Sequence, residues 1–596
     1  MRRLLAAPVL LCLLWTAVGH AASSTAARIA WEPWSDAVFE RAAREKRFVL
    51  LDLEAVWCHW CHVMDEVTYS DPKVVELIRK HYIPVRVDQD SRPDISRRYE
   101  NYGWPATVVF NAEGGEIVKR RGYLAPPIMI SMLEEIIVDP SPVDYGDDEP
   151  TTKFADNPLL SQKMRQSLER AFYETHDPKL GGLKQFQKFI DHDTVEYGLL
   201  RAGQGDKQAE EMTRRTLTAA LKLVDPAWGG VYQYSTDSDW DHPHFEKIMS
   251  MQAEPLRLYA LAYGQFRDPR YLQAVRDIHR YVATFLGSPE GAFYTSQDAD
   301  LVKGKHSEDY FALDAAARKK LGIPAVDKHR YARENGWMIH ALATAYTVIG
   351  QRAYLEDAQR AARWIVEHRS LPGGGFRHDE KDVAGPYLED TLAMGEAFLA
   401  LYTATGGREW LARAAGGAAF IEQHFRGTQP GYLTSAPRAG SRLHPKPNID
   451  ENIPLARFAN LLHRYTGEAR YRSMSDYALR MLVTEQVADS QITAPGILLA
   501  AFESVNDPLH ITIVGGKDDA AAVALFQSAI RYATVYRRVE WWDRREGNMP
   551  NLDVRYPQLS RAAAFICTDS TCSLPIFDAT KITTEVERSV RQVAKN

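Results

Sequence analysis

Two cysteines spaced three residues apart give the clearest chemical signal in this chain of 596 residues. They are Cys58 and Cys61, in the segment EAVWCHWCHVMDE, which also has histidines at positions 59 and 62. Two thiols at this spacing can form and break a disulfide when the first lies at a helix start, where unpaired N–H groups stabilise a thiolate. Cys58 is then predicted to be the attacking sulfur and Cys61 the resolving sulfur. A protonated His59 would stabilise the Cys58 thiolate further.

Three other interpretations of this segment stay open at the level of sequence. The pair could be a structural disulfide, although a disulfide across so short a turn is strained and labile. It could bind zinc together with His62, although closed zinc sites need four ligands. It could also belong to an inert domain that only binds peptides or packs against the rest of the chain.

The segments around the cysteines predict alternating strands and helices. Apolar runs at 47–55 and 83–90 suit buried strands, and helical spacing follows the cysteines until a break near Asp71 and Pro72. Residues 104–123 contain a Gly-Gly turn between two apolar runs, which is typical of a hairpin. The resulting order of elements is that of a thioredoxin fold, which we assign to residues 28–140.

Individual residues agree with this fold. Asp52 lies six residues before Cys58, where thioredoxins keep a buried acid, and Pro105 opens the hairpin where they have a cis-proline facing the disulfide. We therefore expect Asp52 to take the proton of Cys61. We expect Trp60 to cover one flank of the sulfurs, and Trp104, before a cis Pro105, to border the groove that binds a client.

Three longer motifs carry a closer resemblance. The segments CHWCHVM, VDQDSRPDI and GWPATVVF resemble the YyaL/spermatogenesis-associated family, whose members join a thioredoxin-like domain to a helical barrel. The resemblance implies a multidomain protein, with a thioredoxin-like α/β domain followed by a barrel of the six-hairpin glycosidase and N-acylglucosamine 2-epimerase type.

The middle of the chain shows the repeat that such a barrel needs. A proline- and acid-rich linker at 141–157 precedes a region of long helices at 158–505. There, a helix, a turn with an aromatic residue, a second helix and a glycine-rich hairpin recur at roughly 50–80 residues. About eleven or twelve helices fit into this region, which favours a closed (α/α)6 toroid over an open solenoid.

The glycine-rich hairpins of a toroid line a funnel at one end, so their polar residues are candidates for a sugar site. The candidates for substrate binding are His244, Glu246, Asp298 and Asp300. Carboxylates and a histidine can transfer protons on a sugar, and an aromatic such as Trp240 or Trp337 can stack on it. Two alternatives stay open: these residues hold hairpins and helix starts together, or His242, His244 and Glu246 bind a metal.

Residues 506–596 predict a small α/β C-terminal domain, with strands at 510–516 and 534–543 around a helix. Cys567 and Cys572 flank a turn near its end. We expect a structural disulfide between them. The alternative is a relay that exchanges with Cys58–Cys61.

The N-terminal 21 residues, MRRLLAAPVLLCLLWTAVGHA, predict a signal peptide. Two arginines precede an apolar run shorter than the ~20 residues of a membrane span, and small residues follow. An uncleaved anchor is the alternative. We expect export to the periplasm or the medium. The net charge of −6 becomes more negative when the arginines are removed, which argues against a nucleic-acid partner.

The sequence therefore predicts an exported thiol–disulfide oxidoreductase-like protein whose barrel binds a glycan. Its partners would be a protein thiol or disulfide client and a glycan ligand, with no cofactor, no metal, no nucleic acid and no membrane after cleavage. Two alternatives stay open. One is a carbohydrate isomerase, epimerase or hydrolase with an accessory thioredoxin domain, and the other is a non-catalytic binding scaffold.

Overall fold

The computed structural model describes residues 28–144, 154–382, 384–490, 494–568 and 571–593. The predicted signal peptide lies outside the described residues, as does the middle of the predicted linker. No helix in these ranges is both long enough and apolar enough to cross a bilayer.

The N-terminal domain is a five-stranded mixed sheet with helices on both sides. Its strands are β1 (Glu32–Pro33), β2 (Phe48–Glu54), β3 (Tyr82–Asp88), β4 (Ala106–Phe110) and β5 (Glu116–Arg121). Its helices are α1 (Asp36–Glu45), α2 (His59–Val63), α3 (Pro72–His81), α4 (Pro93–Tyr99) and α5 (Pro126–Val138). The strand order is β1-β3-β2-β4-β5, with β2 parallel to β3 and antiparallel to β4. This sheet is the thioredoxin-like arrangement that the sequence predicts.

The cysteines follow the central strand directly, which fixes their position at one edge of the sheet. β2 is buried along nearly its whole length, and α2 starts five residues after it ends. A π-helical segment, Met64–Thr68, continues α2. The predicted break near Asp71 is present, because the Asp71 carboxylate caps the start of α3 and Pro72 occupies its first position.

Fifteen further helices follow before residue 506 in the described part of the chain. They are α6 (Gln162–Glu174), α7 (His192–Gly203), α8 (Lys207–Ala220), α9 (Ser250–Phe266), α10 (Pro269–Tyr281), α11 (Glu308–Phe311), α12 (Ala315–Leu321), α13 (Ala332–Ile349), α14 (Arg352–Arg369), α15 (Leu388–Thr405), α16 (Arg408–His424), α17 (Ile449–Thr466), α18 (Ala469–Leu482), α19 (Glu485–Ser490) and α20 (Pro495–Val505).

Six of these helices form a closed inner ring. In order around the ring they are α7, α9, α13, α15, α17 and α20, and α20 returns to pack on α7. Each outer helix packs mainly on one inner helix, and α14, α16 and α18 also touch the next one around the ring; the outer helices are α8, α10, α14, α16, α18 and α6. Inner helices such as α13 and α15 are buried on nearly all sides, as expected for helices surrounded by others. The middle of the chain is therefore an (α/α)6 toroid, as predicted.

The glycine-rich hairpins repeat at one end of the ring. Single backbone bridges close them at equivalent positions, which are His176–Leu183, Val224–Val231, Gly287–Phe293, Ser370–Phe376 and Arg426–Tyr432. Short strands extend these loops, namely β6 (Tyr234–Ser235), β7 (Pro243–His244), β8 (Lys247–Ile248), β9 (Ser296–Gln297) and β10 (Val326–Asp327). β9 lies between β8 and β10 in a three-stranded sheet.

The C-terminal part is a four-stranded sheet with two helices. Its elements are β11 (Leu509–Val514), α21 (Ala520–Ile530), β12 (Arg537–Trp542), β13 (Ala563–Thr568), β14 (Thr571–Cys572) and α22 (Ile582–Val593). The strand order is β12-β11-β13-β14. Cys567 and Cys572 face each other across β13 and β14 and form a disulfide.

The two smaller domains contact opposite ends of the ring, as the contacts of α15 show. Glu389, in its first turn, pairs with Arg97 of the thioredoxin-like domain. Gly406, just after its last turn, accepts a hydrogen bond from Lys517 of the C-terminal domain, at 2.8 Å. An 18-residue helix spans roughly 25 Å. A relay from Cys567 to Cys58 would therefore have to cross the length of the barrel.

We expect Glu389→Gln to destabilise the protein by about 3 kcal/mol, because it leaves Arg97 and Arg333 without the carboxylate they share. Burial raises the pKa of Glu389, but the two guanidinium groups outweigh burial and lower it to about 2. This stabilisation is therefore complete above the ordinary carboxyl pKa of ~4.3 and is lost as the pH falls toward 2.

Urea denaturation at about neutral pH and at about pH 3 measures this effect, since the second condition lies between the two pKa values. Glu211→Gln is the matched control, because Glu211 pairs with Arg215 at the exposed surface. That control should change the unfolding free energy by less than about 0.5 kcal/mol. Equal effects of the two variants would contradict a bridge through Glu389.

Candidate functional site

The CxxC motif occupies the start of α2. Cys58 is the residue before the first helical residue, in an extended conformation, and its Sγ accepts a hydrogen bond from the N–H of Cys61 at 3.1 Å. The two cysteines are joined in a disulfide. The Trp104–Pro105 peptide bond is cis, as predicted. This end of α2 therefore offers Cys58 the N–H donors that stabilise a thiolate.

Both sulfur-bearing residues are buried. Cys58 is 4% exposed and Cys61 is 3% exposed. Trp57 and the partly buried side chains of Trp104 and Ile248 pack with them in one small apolar cluster. Ile248 belongs to the barrel, so the barrel covers a face of the disulfide.

Trp60 does not take the position expected from the sequence. It is 43% exposed, and its ring lies against Tyr123 and His59. Trp104 is closer to the expected place, since it packs on the cysteine cluster and its ring meets that of Trp57 edge to face, with centroids 6.0 Å apart. The aromatic cover of the disulfide thus comes from the residue before the motif, because the residue inside it points away on the helix surface.

Asp52 lies on β2 and is fully buried, as in the thioredoxin pattern. Its carboxylate pairs with Arg86 at 2.8 Å and accepts a hydrogen bond from the hydroxyl of Tyr69 at 3.2 Å. Burial raises the pKa of Asp52 to about 6, although Arg86 opposes the shift. That Asp52 takes the proton of Cys61 stays a prediction, but both of its oxygens already have partners.

The four barrel candidates converge, although not on a sugar pocket. β8 and β9 pair antiparallel, with Lys247 opposite Gln297, so the ladder brings Glu246 next to Asp298. Alternation along the strand then directs Lys247 into the barrel, where it pairs with Asp225 at 2.7 Å. Glu246 and Ile248 face the thioredoxin-like domain, where they contact His59 and the cysteine cluster.

Asp300 bridges the two domains. One carboxylate oxygen lies 2.7 Å from Nδ1 of His59 and the other 2.9 Å from Nδ1 of His62. The second oxygen also accepts a hydrogen bond from the N–H of Gly304. Because His59 and His62 both belong to α2, one barrel carboxylate holds both histidines of the CHWCH motif.

The charges at this bridge are mutually dependent. Burial alone would raise the pKa of Asp300 and lower that of His62. The hydrogen bonds from His59 and His62 outweigh burial and lower the pKa of Asp300 to about 2. The hydrogen bond to Asp300 and the nearby Asp298 likewise raise the pKa of His62. The bridge is therefore strongest where Asp300 is ionised and His62 is protonated.

Glu246, a residue of the barrel, also contacts the start of α2. One of its oxygens accepts a hydrogen bond from the N–H of His59 at 3.4 Å. The other has no hydrogen-bond partner among the described residues, and Nδ1 of His244 is 3.9 Å from it. Burial raises the pKa of Glu246 to about 7. The ring of His244 stacks on Tyr234. Burial lowers the pKa of His244 to about 4.

His62, Asp298 and Asp300 place their ligand atoms close enough to bind one metal ion. However, both nitrogens of His62 are engaged, Nδ1 with Asp300 and Nε2 with the carbonyl of Val56 at 3.1 Å. The same engagement leaves no ring nitrogen of His62 for a zinc site with the cysteines in this disulfide state. The second metal alternative is not assembled either, since His242 is exposed and bonds to Asp239.

A cavity of about 660 Å³ runs inside the ring of helices. Trp57, Trp104 and Ile248 line it and also pack on the cysteines, so a single layer of side chains separates the disulfide from the cavity. None of the four barrel candidates is among the described residues that line it. Of the expected aromatics, Trp337 lines the cavity, whereas Trp240 donates its ring N–H to the carbonyl of Leu180.

The wall of this cavity is charged, and sequence reasoning missed most of its residues. Arg257 pairs with Glu196 at 2.6 Å and with Glu254 at 2.9 Å, and Arg457 also pairs with Glu196. Burial raises the pKa of Glu396 to about 8. These residues lie within inner helices, where their charge interrupts otherwise apolar faces. That interruption is the signal by which the sequence could have shown them.

Comparisons with known sequences agree with this architecture. Residues 19–134 match the family Thioredox_DsbH, described as a protein of unknown function, DUF255. Human spermatogenesis-associated protein 20 is 23% identical over 92% of this chain and 88% of its own length. The thiol:disulfide interchange protein DsbD of Campylobacter jejuni is 27% identical over 14% of this chain and 16% of its own length. The predicted resemblance to the YyaL/spermatogenesis-associated family is confirmed.

Solved structures resemble the chain more distantly. D-mannose isomerase is 12% identical over 58% of this chain and 98% of its own, with a TM-score of 0.43. Cellobiose 2-epimerase from Spirochaeta thermophila is 18% identical over 46% of this chain and 68% of its own, with a TM-score of 0.37.

We expect Asp300→Asn to lower the unfolding free energy by about 2 kcal/mol, because charge-assisted hydrogen bonds to two buried histidines are lost. The folded-state pKa of His62 is raised, so its contribution is complete below the ordinary histidine pKa of ~6.5 and disappears as the pH rises through the folded value. Urea titrations at a series of pH values from below to above the pKa of His62 measure this effect. The unfolding free energy of the wild type should fall as the pH rises, and that of Asp300→Asn should change less with pH.

Asp298→Asn is the matched control. Burial raises the pKa of Asp298 to about 6, so the amide replaces a carboxyl whose charge is disfavoured there. It can still accept the hydrogen bond from the N–H of Asp300. Because Asp298 also helps to raise the pKa of His62, a small loss remains, and this variant should lose clearly less stability than Asp300→Asn. A larger loss from Asp298→Asn than from Asp300→Asn would contradict the assigned bridge.

Proposed function

We propose that this chain is a thiol–disulfide oxidoreductase-like protein that uses Cys58 and Cys61, with the barrel as a cover that restricts access to the sulfurs. The observation that carries the proposal is the disulfide at the start of α2, with Cys58 capping the helix and accepting from the N–H of Cys61. A structural staple would need none of this helix-start geometry.

The reaction follows from this geometry. In the reduced form, the Cys58 thiolate attacks one sulfur of a partner disulfide, and the partner's other sulfur leaves as a thiolate that takes up a proton. Cys61, after losing its own proton, then attacks the Cys58 sulfur and releases the partner as its second thiol. The protein is oxidised by two electrons, and the partner disulfide is reduced to two thiols. The reverse sequence oxidises a partner dithiol.

Burial of the sulfurs determines which partner fits. An incoming sulfur must reach Cys58 past Ile248, Trp57 and Trp104, which pack around it. A small thiol or disulfide needs only side-chain movement in this layer. A protein client needs the barrel to move away from α2, against the Asp300 bridge. We therefore propose small-molecule disulfides as the first partners to test, and protein clients as partners of an opened state.

We also propose that the protein acts outside the cytoplasm. The support is the N-terminal sequence, with its two arginines, short apolar run and small residues before position 22. A second disulfide between Cys567 and Cys572 also suits an oxidising compartment.

A second candidate function rests on the barrel cavity. Its volume of about 660 Å³ suits a small ligand. Its wall combines Trp337 with carboxyl groups such as Glu396 and with His340. An aromatic face with several hydrogen-bonding groups is the composition that binds sugars. We propose a small polyhydroxylated ligand here, with the disulfide beyond the layer that closes one end.

In the variant Cys61→Ala, we expect glutathione disulfide to form a stable mixed disulfide on Cys58, because the resolving sulfur is absent. Adding Ile248→Ala should raise the rate several-fold, since it removes part of the cover. Intact-protein mass spectrometry over time measures both rates. Ile323→Ala is the matched control, because Ile323 is half exposed elsewhere on the barrel, and it should leave the rate unchanged. An unreactive Cys58 in all three folded proteins would reject the redox function.

For the cavity, titration calorimetry with a panel of mono- and disaccharides should find a ligand that binds. Glu396→Gln should lower its affinity about tenfold, because the hydrogen bond between the Glu396 carboxyl and a sugar hydroxyl is weakened. Glu409→Gln, at the start of the outer helix α16, should bind as the wild type does. Binding that neither variant alters would place the ligand outside the cavity, and no binding in the panel would remove the sugar proposal.

A further inference from the structure

Exchange at a CxxC pair requires a group that holds the thiol proton, and several buried carboxyls lie around the motif. Asp300 is engaged by His59 and His62, and Asp90 by the ring N–H of Trp57. Asp52 has both oxygens engaged, by Arg86 and by Tyr69. Glu246 comes from the barrel and accepts a hydrogen bond from the N–H of His59, the residue bonded to Cys58. Its second oxygen is buried and has no hydrogen-bond partner among the described residues.

Glu246 and Cys58 therefore share one helix start. The unpaired N–H groups there favour one negative charge nearby. Cys58 Sγ uses the N–H of Cys61, and Glu246 uses the N–H of His59. A thiolate and a carboxylate together in this buried place would repel each other, so ionisation of one disfavours ionisation of the other. If the two groups share one proton, only one of them is charged at a time and the repulsion is avoided.

We propose that Glu246, supplied by the barrel, holds the proton that the Cys58 thiol releases. This inference rests on the proposed thiol–disulfide function. The proton of the Cys58 thiol passes to the Glu246 carboxylate, and the thiolate attacks the partner disulfide. The S–S bond of the partner breaks as the Cys58–partner bond forms. The expelled partner thiolate then takes the proton back from the Glu246 carboxylic acid, so that charge and protons balance.

The other groups around Glu246 are compatible with this role. His59 faces it from α2, and Asp298 faces it across the β8–β9 ladder. His244 and Tyr234 lie on the hairpin that leads to it. Burial raises the pKa of Glu246 to about 7, against hydrogen bonds from its own backbone N–H and from the N–H of His59. A carboxyl with such a pKa can both accept and return a proton near neutral pH.

The test compares three reduced proteins, the wild type, Glu246→Gln and Asp52→Asn. Cys58 alkylation by iodoacetamide is followed by mass spectrometry as a function of pH. Above pH 7 the wild-type Glu246 carboxyl is ionised and competes with the thiolate. In Glu246→Gln this carboxylate is absent, so the thiolate should form at lower pH and alkylation near pH 8 should be about fivefold faster. The equilibrium with glutathione above pH 7 should shift about tenfold toward the dithiol, which corresponds to about 30 mV.

Asp52→Asn separates the two carboxyls. Because Asp52 is expected to take the proton of Cys61, this variant should change the alkylation of Cys61, while the pH profile of Cys58 should follow Glu246. A wild-type profile of Cys58 in Glu246→Gln would overturn the inference, and a shifted profile in Asp52→Asn beside it would assign the proton of Cys58 to Asp52. Failure of the wild-type thiols to react reversibly would overturn the proposed function, whatever Glu246 does.

If Glu246→Gln does not fold, Glu246→Asp provides the second variant. Infrared difference spectra between the reduced and oxidised proteins should show a protonated carboxyl band in the wild type. Glu246→Asp keeps a carboxyl on a shorter side chain, so it should move this band. A band that is absent, or that stays unchanged in Glu246→Asp, would overturn the inference.

Discussion

The shared hydrogen bonding of Asp300 to His59 and His62 is the interaction on which the rest of the site depends. It fastens both histidines of the CxxC helix to a hairpin of the barrel, at 2.7 and 2.9 Å. With the helix held there, Ile248 covers the disulfide and Glu246 reaches the N–H of His59. The same docking closes one end of the barrel cavity with Trp57 and Trp104. A thioredoxin-like domain separated from the barrel would have none of these three features.

This arrangement changes the usual electrostatics of a CxxC pair. A disulfide is neutral, whereas reduction followed by thiolate formation adds a negative charge in a buried site. The barrel brings two more carboxyls, Glu246 and Asp298, into the same region, and burial raises the pKa of each. A thiolate at Cys58 is therefore opposed by carboxylate charge, except when those carboxyls hold protons. The redox state of Cys58 and Cys61, the protonation of Glu246 and Asp298, and the contact between the two domains therefore depend on one another.

Much of the fold follows from the sequence, because it depends on local patterns. Cys58 directly after an apolar strand, and Pro105 at the start of a hairpin, predict the thioredoxin-like domain, and the repeated glycine hairpins predict the toroid. The site was only partly predictable, because it depends on pairing between distant segments. Glu246 and Asp298 were expected to line a sugar funnel, but the β8–β9 ladder and domain docking turn them toward His59 and His62. Alternation within FEKI, with Glu246 and Ile248 on one side and Lys247 on the other, was the available hint.

The central claim is that Cys58 and Cys61 form a reversible redox couple in the folded protein, under the cover of the barrel. Titrating the intact protein with glutathione buffers, and counting free thiols at each cysteine by mass spectrometry, tests it most directly. The account predicts one reversible two-electron transition at Cys58–Cys61, with the same midpoint from the oxidised and the reduced side. Cys567–Cys572 should stay oxidised over that range. A Cys58–Cys61 bond that opens only when the protein unfolds would contradict the account.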